Sequence, residues 1–485
     1  MTQLVAGVLG LNLALLAAGY GVLAAALAGR RPLEWASYAG VALLVGAGLV
    51  GVAVFVAAIL VATTGPVTFA VAAAAVGGAG LAASRVARVR TWLSAPRPGA
   101  RLRDVAAWES AVTTAACFGV VTISVFALVG GFRAAPWLDD AWGIWLPKGL
   151  ALLEHGLDER LFVPNGDYVY FEVPEYPLWW SALTGLDVRL AGGLDVRAMD
   201  AQLALLTVAF VAAAARLLWG FVRPWLLWTG LLLLVASPEL LRHTQSGMAD
   251  LPLAIFLSLC LLCAGAWLAG GHGFFLLLVF AFGSTALAIK TEGVPQFLLF
   301  LGIVSALAVL TRPQRLPALL GAAACALVTF VPWLVWRATN GIEARVALSD
   351  ALDPGYLGDR ADRTGRAAEV LARHLADPTE WLLVVPLALV LSVAVVVRTR
   401  NVAWLGPALI VVAGFAFWTW AYWADGDEIE FVLATSAYRV VDAIVLSAAL
   451  AIPVLAERLL EGAAWTPTAV RPVDSDGRPG EARTS

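Results

Sequence analysis

The sequence predicts an all-α, polytopic membrane protein built as a bundle of about 13 transmembrane helices. Of its 485 residues, 61% are hydrophobic and only 14% are charged, and the mean hydropathy is +0.83. A soluble domain cannot bury that much apolar surface. Apolar stretches close to the length of a membrane span recur along most of the chain, and backbone groups inside a bilayer are satisfied in helices. The short alternating segments of a membrane β-barrel are absent.

The distribution of arginine predicts how the chain is threaded through the membrane. Short loops rich in Arg and Lys remain on the cytoplasmic side, and the most basic short connection is Arg85–Arg103. Placing it inside puts the other short arginine pairs inside, the N-terminus outside and the C-terminus inside. The predicted spans are 4–28, 38–61, 66–84, 108–131, 197–219, 224–239, 250–269, 273–290, 294–310, 316–336, 380–397, 402–422 and 437–455.

This threading divides the chain into three regions. Residues 1–107 are predicted to form an accessory three-span bundle with a basic cytoplasmic linker, and residues 108–456 form the transmembrane core with a first outer loop at 132–197. Residues 457–485 are predicted to be a cytoplasmic tail, disordered because its end is polar and rich in Pro and Gly. The large loops all fall on the outer side: Phe132–Arg197, Glu239–Ala249, Ala338–Thr379 and Trp423–Ser436.

The first outer loop is rich in tryptophan. In the amphipathic stretch Tyr176–Leu190, the residues Trp179, Trp180, Leu183 and Leu186 suit a helix lying in the membrane interface. Three further tryptophans extend the aromatic belt of this surface, with simple anchoring as the plain alternative: Trp137, Trp142 and Trp145.

Two adjacent carboxylates, Asp139 and Asp140, follow the fourth predicted span within a few residues. Placing acidic side chains at a bilayer surface costs free energy, so their presence there indicates a structural or functional role. A general base at the edge of a membrane cavity is one interpretation, and a solvated loop acid beside the aromatic anchors is the other. Trp142, Trp145 and Lys148 lie close by in the sequence and are predicted to line the same pocket.

Further charged residues lie at the outer ends of later spans. Asp250 stands two residues before Pro252 at the start of the seventh span, where helix capping is the alternative to a role in a site. Lys290 and Glu292 lie at the outer end of the next hairpin. They are predicted either to form an ion pair or to leave Lys290 free to contact a phosphate.

The last outer loop combines acidic residues with a cation. Its alternating carboxylates suit a hard divalent cation, although a solvated acidic loop is the more common arrangement: Asp425, Asp427, Glu428 and Glu430. Tyr438 and Arg439 then begin the final span. Arg439 is well placed to hold a phosphate at the depth of the lipid headgroups.

Together these features suit transfer of a group from a lipid-phosphate donor. Such a reaction needs a carboxylate base, cationic contacts to the phosphate and a cavity at the membrane surface. A lipid-phosphate leaving group is already activated, so no nucleotide-binding loop is needed. The glycines of Gly78-Ala79-Gly80 lie inside an apolar span and indicate helix packing. No basic arm suggests nucleic acid as a partner.

Six short motifs occur in order along the outer side. They are Asp140-Ala141-Trp142-Gly143-Ile144-Trp145 with Lys148, Glu175-Tyr176-Pro177-Leu178, Ser246-Gly247-Met248-Ala249-Asp250-Leu251-Pro252-Leu253, Ile289-Lys290-Thr291-Glu292-Gly293, Pro332-Trp333-Leu334-Val335-Trp336-Arg337 and Thr435-Ser436-Ala437-Tyr438-Arg439. Over about 111–453 the chain resembles the glycosyltransferase C superfamily, in particular its bacterial protein mannosyltransferase-like and aminoarabinose transferase-like enzymes. These enzymes use polyprenyl-phosphate sugars as donors.

The resemblance implies an inverting glycosyltransferase with a catalytic core at 108–456. Asp140 is then the base that deprotonates the acceptor hydroxyl, and Asp139 orients the acceptor or shares a metal with Asp250. Lys290 and Arg439, with Tyr438, are expected to bind the donor phosphate and stabilise its growing charge. The remaining residues of the substrate pocket are expected to be Trp142, Trp145, Lys148, Glu175, Tyr176 and Glu292.

The same resemblance implies the location and partners of the protein. We expect a multi-pass protein of the inner, plasma membrane with its active site facing the outside or periplasm. Its donor is then a polyprenyl-phosphate-linked sugar, and its acceptor an envelope glycan, lipid or protein. Some family members use a divalent cation (Mg, Mn or Ca), for which Asp140 and Asp250 are the candidate ligands. Glu175 stands where the family pattern has His or Asp before Tyr176-Pro177, and the first three spans have no counterpart in the family core.

Two other classes of protein share some of these features. A transporter or flippase of lipid-linked or small polar solutes also has many spans and a few intramembrane charges. Transporters often show internal repeats with interrupted helices and binding sites near the membrane midplane, whereas the acids here collect at the outer surface. A scaffold of an envelope assembly complex leaves Asp140 and Arg439 without a role. The enzyme interpretation is therefore preferred.

Overall fold

The computed structural model describes residues 1–61, 64–96, 106–163, 173–193, 195–343 and 346–461. Within these ranges the chain is helical and forms no strand. In the part of the chain that the structure describes, ten helices are long and apolar enough to cross a membrane, and three shorter apolar helices accompany them. Each predicted span overlaps one of these helices. The prediction of an all-α, polytopic helical membrane bundle is confirmed.

The first helices pack through small residues. They are α1 (Thr2–Leu27), α2 (Pro32–Ala36), α3 (Ala39–Val61), α4 (Pro66–Ser84) and α5 (Ala87–Leu93). α1 packs along both α3 and α4. A Cβ added to Gly19 would overlap the carbonyl of Ala42, and one added to Gly46 would overlap the carbonyl of Leu15. Small residues allow membrane helices to approach closely, so these glycines determine how α1 and α3 cross.

The core helices follow, with proline as the first residue of several of them, where its fixed φ suits a helix start. The first part contains α6 (Ala107–Gly131), a π-helical turn (Ala141–Trp145), α7 (Leu146–His155), α8 (Glu159–Phe162), α9 (Trp179–Leu190), α10 (Arg197–Leu218), α11 (Pro224–Val235), α12 (Pro238–His243), α13 (Asp250–Gly270), α14 (Gly273–Ile289), α15 (Gly293–Thr311) and α16 (Leu316–Thr339). The second part contains α17 (Leu348–Leu352), α18 (Pro354–Gly358), α19 (Ala361–Ala376), α20 (Pro378–Trp381), α21 (Val384–Thr399), α22 (Gly406–Ala424), α23 (Ile429–Val440) and α24 (Asp442–Glu461).

Three predicted spans differ from the helices that form. The span predicted at 224–239 ends at Val235, because Pro238 starts a new helix. α21 begins at Val384 instead of residue 380, because the backbone turns through positive φ at the two preceding leucines. The last span, predicted at 437–455, contains the break between α23 and α24. Helix α24 continues to Glu461, past the predicted domain boundary, and the rest of the predicted tail lies outside the described residues.

Helix α9 forms where an interfacial helix was predicted, but it lies inside the protein. Trp179, Trp180, Leu183 and Leu186 are all buried. The indole of Trp179 lies within hydrogen-bonding distance of two backbone carbonyls of α3 and packs edge-on against Phe256, 5.5 Å between ring centroids. An amphipathic pattern shows only that one face avoids water, so it does not distinguish lipid from protein neighbours.

The three N-terminal spans are joined to the core. Helix α3 packs against α9, α10, α14 and α16. Within the bundle, the amide of Asn12 on α1 donates to Oε1 of Gln202 on α10 at 2.7 Å, and Gln202 donates back at 3.2 Å. Reciprocal amide bonds of this kind satisfy polar groups that lipid cannot solvate. The N-terminal helices therefore pack directly against the core helices.

The two ends of the bundle carry different chemistry. At one end Arg315 donates to the carbonyl of Leu268, and Arg223 pairs with Glu457 at 3.2 Å. Helix α13 ends beside Arg315 at this end, whereas its first residue, Asp250, lies at the other end. A helix of 21 residues is about 30 Å long. Arg315 and Asp250 thus lie at opposite ends of the bundle.

The crossing of α1 and α3 can be tested with matched alanine substitutions. Gly46→Ala places a Cβ in the backbone of α1 and is expected to destabilise the protein by about 1–3 kcal/mol. A Cβ at Gly10 on the same helix pair meets nothing within 4 Å, so Gly10→Ala is expected to be neutral or slightly stabilising. Thermal unfolding in detergent measures both, and equal melting temperatures for the two variants would contradict the crossing.

Candidate active site

Five charged side chains from separate helix ends meet at the acidic end of the bundle. Asp140 precedes the π-helical turn, Asp250 begins α13, Lys290 and Glu292 lie between α14 and α15, and Arg439 lies near the end of α23. They alternate in sign from Asp140 through Arg439, Asp250 and Lys290 to Glu292. We refer to these five residues as the charge chain.

The distances within the charge chain are those of ion pairs. Arg439 Nη2 donates to Asp140 Oδ2 at 2.7 Å, and Arg439 Nε lies 3.9 Å from Asp250 Oδ2. Lys290 Nζ donates to Asp250 Oδ1 at 2.9 Å and lies 3.5 Å from Glu292 Oε1. Asp250 therefore lies between two cations, and each cation lies between two carboxylates.

Burial differs sharply along the charge chain. The side chains of Asp250 and Lys290 are 7% and 6% exposed, whereas that of Asp140 is 36% exposed. Burial by itself lowers the pKa of Lys290, but the charges of Asp250 and Glu292 outweigh it and raise the pKa above its ordinary value. Lys290 therefore remains an ammonium ion. Asp140 is the most exposed of the three carboxylates in the charge chain.

A small cavity lies against the charge chain. It is lined by Asp250, Leu253, Lys290, Glu292, Gln296, Trp418, Arg439, Val440, Asp442 and Ala443, and its free space fits about one water molecule. Within the described part of the chain, six buried polar atoms of these residues have no hydrogen-bond partner: Arg439 Nε, Asp250 Oδ2, Glu292 Oε2, Gln296 Oε1, Trp418 Nε1 and Asp442 Oδ1. Buried polar atoms normally have hydrogen-bond partners, so these atoms are available to form hydrogen bonds with a molecule in the cavity.

An aromatic wall lies against Lys290 and Glu292 of the charge chain. The hydroxyl of Tyr176 donates to Glu292 Oε1 at 3.0 Å, and its ring lies 5.2 Å from Lys290 Nζ. Trp145 stacks on this ring at 5.4 Å with the two planes nearly parallel. The backbone carbonyl of Glu175 accepts hydrogen bonds from Thr291 and Trp333. The predicted pocket residues Trp145, Glu175, Tyr176 and Glu292 thus lie together.

Lys148 lies behind this wall as a fully buried amine. Its Nζ donates to the carbonyl of Val173 at 2.5 Å and lies 5.8 Å from the ring of Tyr176. Burial lowers the pKa of Lys148 to about 7, although the charge of Glu175 opposes this. Burial in turn raises the pKa of Glu175. Lys148 therefore lies beside Tyr176 and is not part of the charge chain.

Three further predicted site residues belong neither to the charge chain nor to the aromatic wall. Asp139 is exposed. Trp142 is 46% exposed and donates from Nε1 to the carbonyl of Pro136. Tyr438 packs against His243, with ring centroids 5.7 Å apart.

The structure adds a buried histidine that the sequence did not reveal as part of the site. His243 Nδ1 lies 2.8 Å from Asp442 Oδ2, and Nε2 lies 3.2 Å from Glu239 Oε1. Burial lowers the pKa of His243, but Asp442 and Glu239 outweigh it and raise the pKa to about 9. The helical spacing of Glu239 and His243 was the available signal. Their contact with Asp442 joins residues that are far apart in the chain.

The described residues of the site were compared with the requirements of a metal-binding site. Among the described residues, no group of three or more His, Cys, Asp or Glu side chains is arranged to hold one. Asp140 and Asp250, the predicted ligands, lie on either side of the guanidinium of Arg439. In the acidic outer loop, Glu430 pairs with Arg366 at 2.8 Å. Use of a divalent cation remains a prediction that rests on the resemblance.

Comparison with protein-family models, curated proteins and solved structures finds no match to this chain. The assignment of a function therefore depends on the residues of the site and their contacts.

The burial gradient of the charge chain predicts unequal effects of two isosteric substitutions. Asp250→Asn leaves buried Lys290 and Arg439 short of a counter-charge and is expected to cost about 3–5 kcal/mol of stability. Asp140→Asn changes a partly exposed ion pair and is expected to cost about 1 kcal/mol or less. Thermal or denaturant unfolding of the purified variants checks this order. If Asp140→Asn proved the more damaging, Asp250 would not be the centre of the charge chain.

Proposed function

We propose that this protein is a membrane glycosyltransferase that takes a sugar from a polyprenyl-phosphate donor on the outer face of the membrane. The observation that carries the proposal is the pair of cations, buried Lys290 and largely buried Arg439, beside the partly exposed carboxylate of Asp140. The two cations line one cavity, and Arg439 Nε has no hydrogen-bond partner there among the described residues. Guanidinium and ammonium groups at headgroup depth suit a lipid phosphate.

The ion pair between Arg439 and Asp140 suggests how donor binding prepares the base. In the structure Arg439 Nη2 is bound to Asp140. A donor phosphate binds the same guanidinium, because phosphate oxygens accept charge-assisted hydrogen bonds as carboxylate oxygens do. Asp140 then loses its partner and turns to the acceptor hydroxyl. The site thus holds its base in an ion pair until a donor phosphate arrives.

The proposed reaction is a single displacement. The freed Asp140 takes the proton of the acceptor hydroxyl, whose oxygen attacks the anomeric carbon. The bond between that carbon and the phosphate oxygen breaks, and its electron pair leaves with the polyprenyl phosphate. Configuration at the anomeric carbon inverts. Arg439 and Lys290 stabilise the negative charge that grows on the phosphate, and Asp250 holds both cations in place.

The position of the charges favours an enzyme over a transporter. Transporter sites typically lie near the membrane midplane on broken helices. The members of the charge chain lie at helix ends, on the face of the bundle opposite to its basic connections. We assign this face to the outside by the positive-inside rule. A lipid-linked donor in the outer leaflet then reaches the site from the membrane, with an envelope glycan, lipid or protein as the acceptor.

The proposal also covers the membrane, the number of spans and the roles of the aromatic residues. We place the protein in the plasma membrane with about 13 spans, counting the short helices α11, α14 and α21 as crossings. Trp142 has an exposed face, so it is the best placed tryptophan for stacking on a sugar ring. Buried Trp145 and Tyr176 instead support the wall behind Lys290.

A transfer assay with neighbouring substitutions tests this function. The purified protein is incubated with radiolabelled polyprenyl-phosphate hexoses or pentoses and a crude envelope acceptor. Asp140→Asn is expected to lower transfer by about 100-fold or more, because it removes the general base. Asp139→Asn is the matched control, since that exposed carboxylate lies outside the charge chain, and it is expected to retain most of the activity.

Two results would contradict the proposal in different ways. Equal transfer by the wild type and Asp140→Asn would remove Asp140 from the role of base. If the wild type transferred sugar from none of the donors and instead catalysed counterflow of a small solute, the protein would be a transporter.

A further inference from the structure

We infer that His243 is a positioning residue that keeps Arg439 available for the donor phosphate by holding Asp442. This inference rests on the proposed function and assigns a role to a residue outside the charge chain. Asp442 is the first residue of α24 and lies three residues after Arg439. Both residues line the small cavity. A carboxylate in that position competes for the guanidinium unless another cation holds it.

The geometry shows that His243 is that cation. Its Nδ1 lies 2.8 Å from Asp442 Oδ2, and its Nε2 lies 3.2 Å from Glu239 Oε1. The side chains of Asp442 and Glu239 are only 1% and 2% exposed. Two buried carboxylates without a counter-charge are strongly unfavourable. The imidazolium of His243 between them therefore stabilises both, and it leaves Arg439 to Asp140 and Asp250.

The segment that carries His243 contacts the α23–α24 junction at further points. The ring of His243 packs against Tyr438, the residue before Arg439, at 5.7 Å between centroids. Five residues after His243, Met248 Sδ accepts a contact from Arg439 Nη1 at 3.6 Å. The short segment from His243, the last residue of α12, to Met248 thus contacts Tyr438, Arg439 and Asp442. This arrangement fixes the position of the guanidinium relative to the start of α13.

The other groups around His243 define its electrostatic surroundings. On its own helix Arg242 pairs with Glu239 at 3.1 Å, and from α20 the neutral ring of Trp381 packs at 6.1 Å. Tyr438 faces it from α23, Asp442 from α24, and the charge of Asp250 on α13 acts at longer range. Carboxylates dominate this set. They keep His243 protonated up to about pH 9.

The main experiment compares two histidine variants. His243→Gln removes the cation beside Asp442. His374→Gln is the matched control, because His374 also pairs with a carboxylate, Glu380 at 2.9 Å, and also packs near Tyr438, but it does not contact Asp442. Binding of a short-chain polyprenyl monophosphate is measured by tryptophan fluorescence in detergent. For His243→Gln we expect about tenfold weaker binding, which corresponds to the loss of one charge-assisted contact. For the control His374→Gln we expect no more than a small change in binding.

A second measurement separates positioning from a general loss of structure. In an Arg439→Gln background, His243→Gln is expected to weaken binding no further, because its effect acts through Arg439. In the wild type, binding is expected to weaken as the pH rises through about 9, where His243 loses its proton. The His243→Gln variant lacks this step. Equal binding and equal pH profiles for the two histidine variants would overturn the inference.

Failure of the proposed function gives a different result. If the wild type does not bind polyprenyl monophosphate at all, the proposed function falls. The inference about His243 is then tested by the melting temperatures of His243→Gln, Arg439→Gln and the double variant. If the two residues are coupled through Asp442, the effects of the two substitutions are non-additive. Additive effects would overturn the inference.

The pH dependence of the wild-type melting temperature provides a further test, because the direction of the change follows from the raised pKa of His243. Because the pKa of His243 is raised on folding, its contribution to stability is complete below about pH 6.5 and is lost as the pH rises through about 9. The difference in melting temperature between the wild type and His243→Gln is therefore expected to shrink over this range. A difference that stays constant with pH would overturn the assignment of a charged His243.

Discussion

The buried carboxylate of Asp250 determines the arrangement of the site. A charge that is 7% exposed at the end of a membrane helix is tolerated only with partners, because desolvation of an isolated ion costs several kcal/mol. Asp250 finds Lys290 from the next hairpin and Arg439 from the far end of the sequence. These two ion pairs tie α13, α14 and α23 together at one face of the bundle. The position of each cation therefore follows from the need to neutralise one acid.

The same constraint assigns different roles to the carboxylates. Those that are deeply buried, Asp250, Asp442 and Glu239, each lie against a cation that they hold in place. Asp140 is accessible, and its pairing with Arg439 can be exchanged for another anion at little cost. This division leaves Asp140 as the group suited to proton transfer. The buried acids instead form the rigid frame that orients the cations around the cavity.

Hydropathy predicted the helices because a membrane span is a local property of the sequence. The cost of charge near a membrane likewise pointed to Asp140, Asp250, Lys290 and Arg439, which the structure brings together. The partners were not predictable, because Arg439 lies 299 positions from Asp140 and no local pattern joins them. For the same reason the burial of α9 and the pairing of His243 with Asp442 were missed. Asp139 and Tyr438 were included as sequence neighbours, yet Asp139 is exposed and Tyr438 packs against His243.

The central claim is that a lipid phosphate replaces Asp140 as the partner of Arg439. The most direct measurement is an electron cryomicroscopy structure of the wild-type protein with a polyprenyl monophosphate bound. We expect phosphate oxygens within about 3 Å of Arg439 and Lys290, with Asp140 separated from the guanidinium. A lipid phosphate bound elsewhere, with the contact between Arg439 and Asp140 intact, would contradict it.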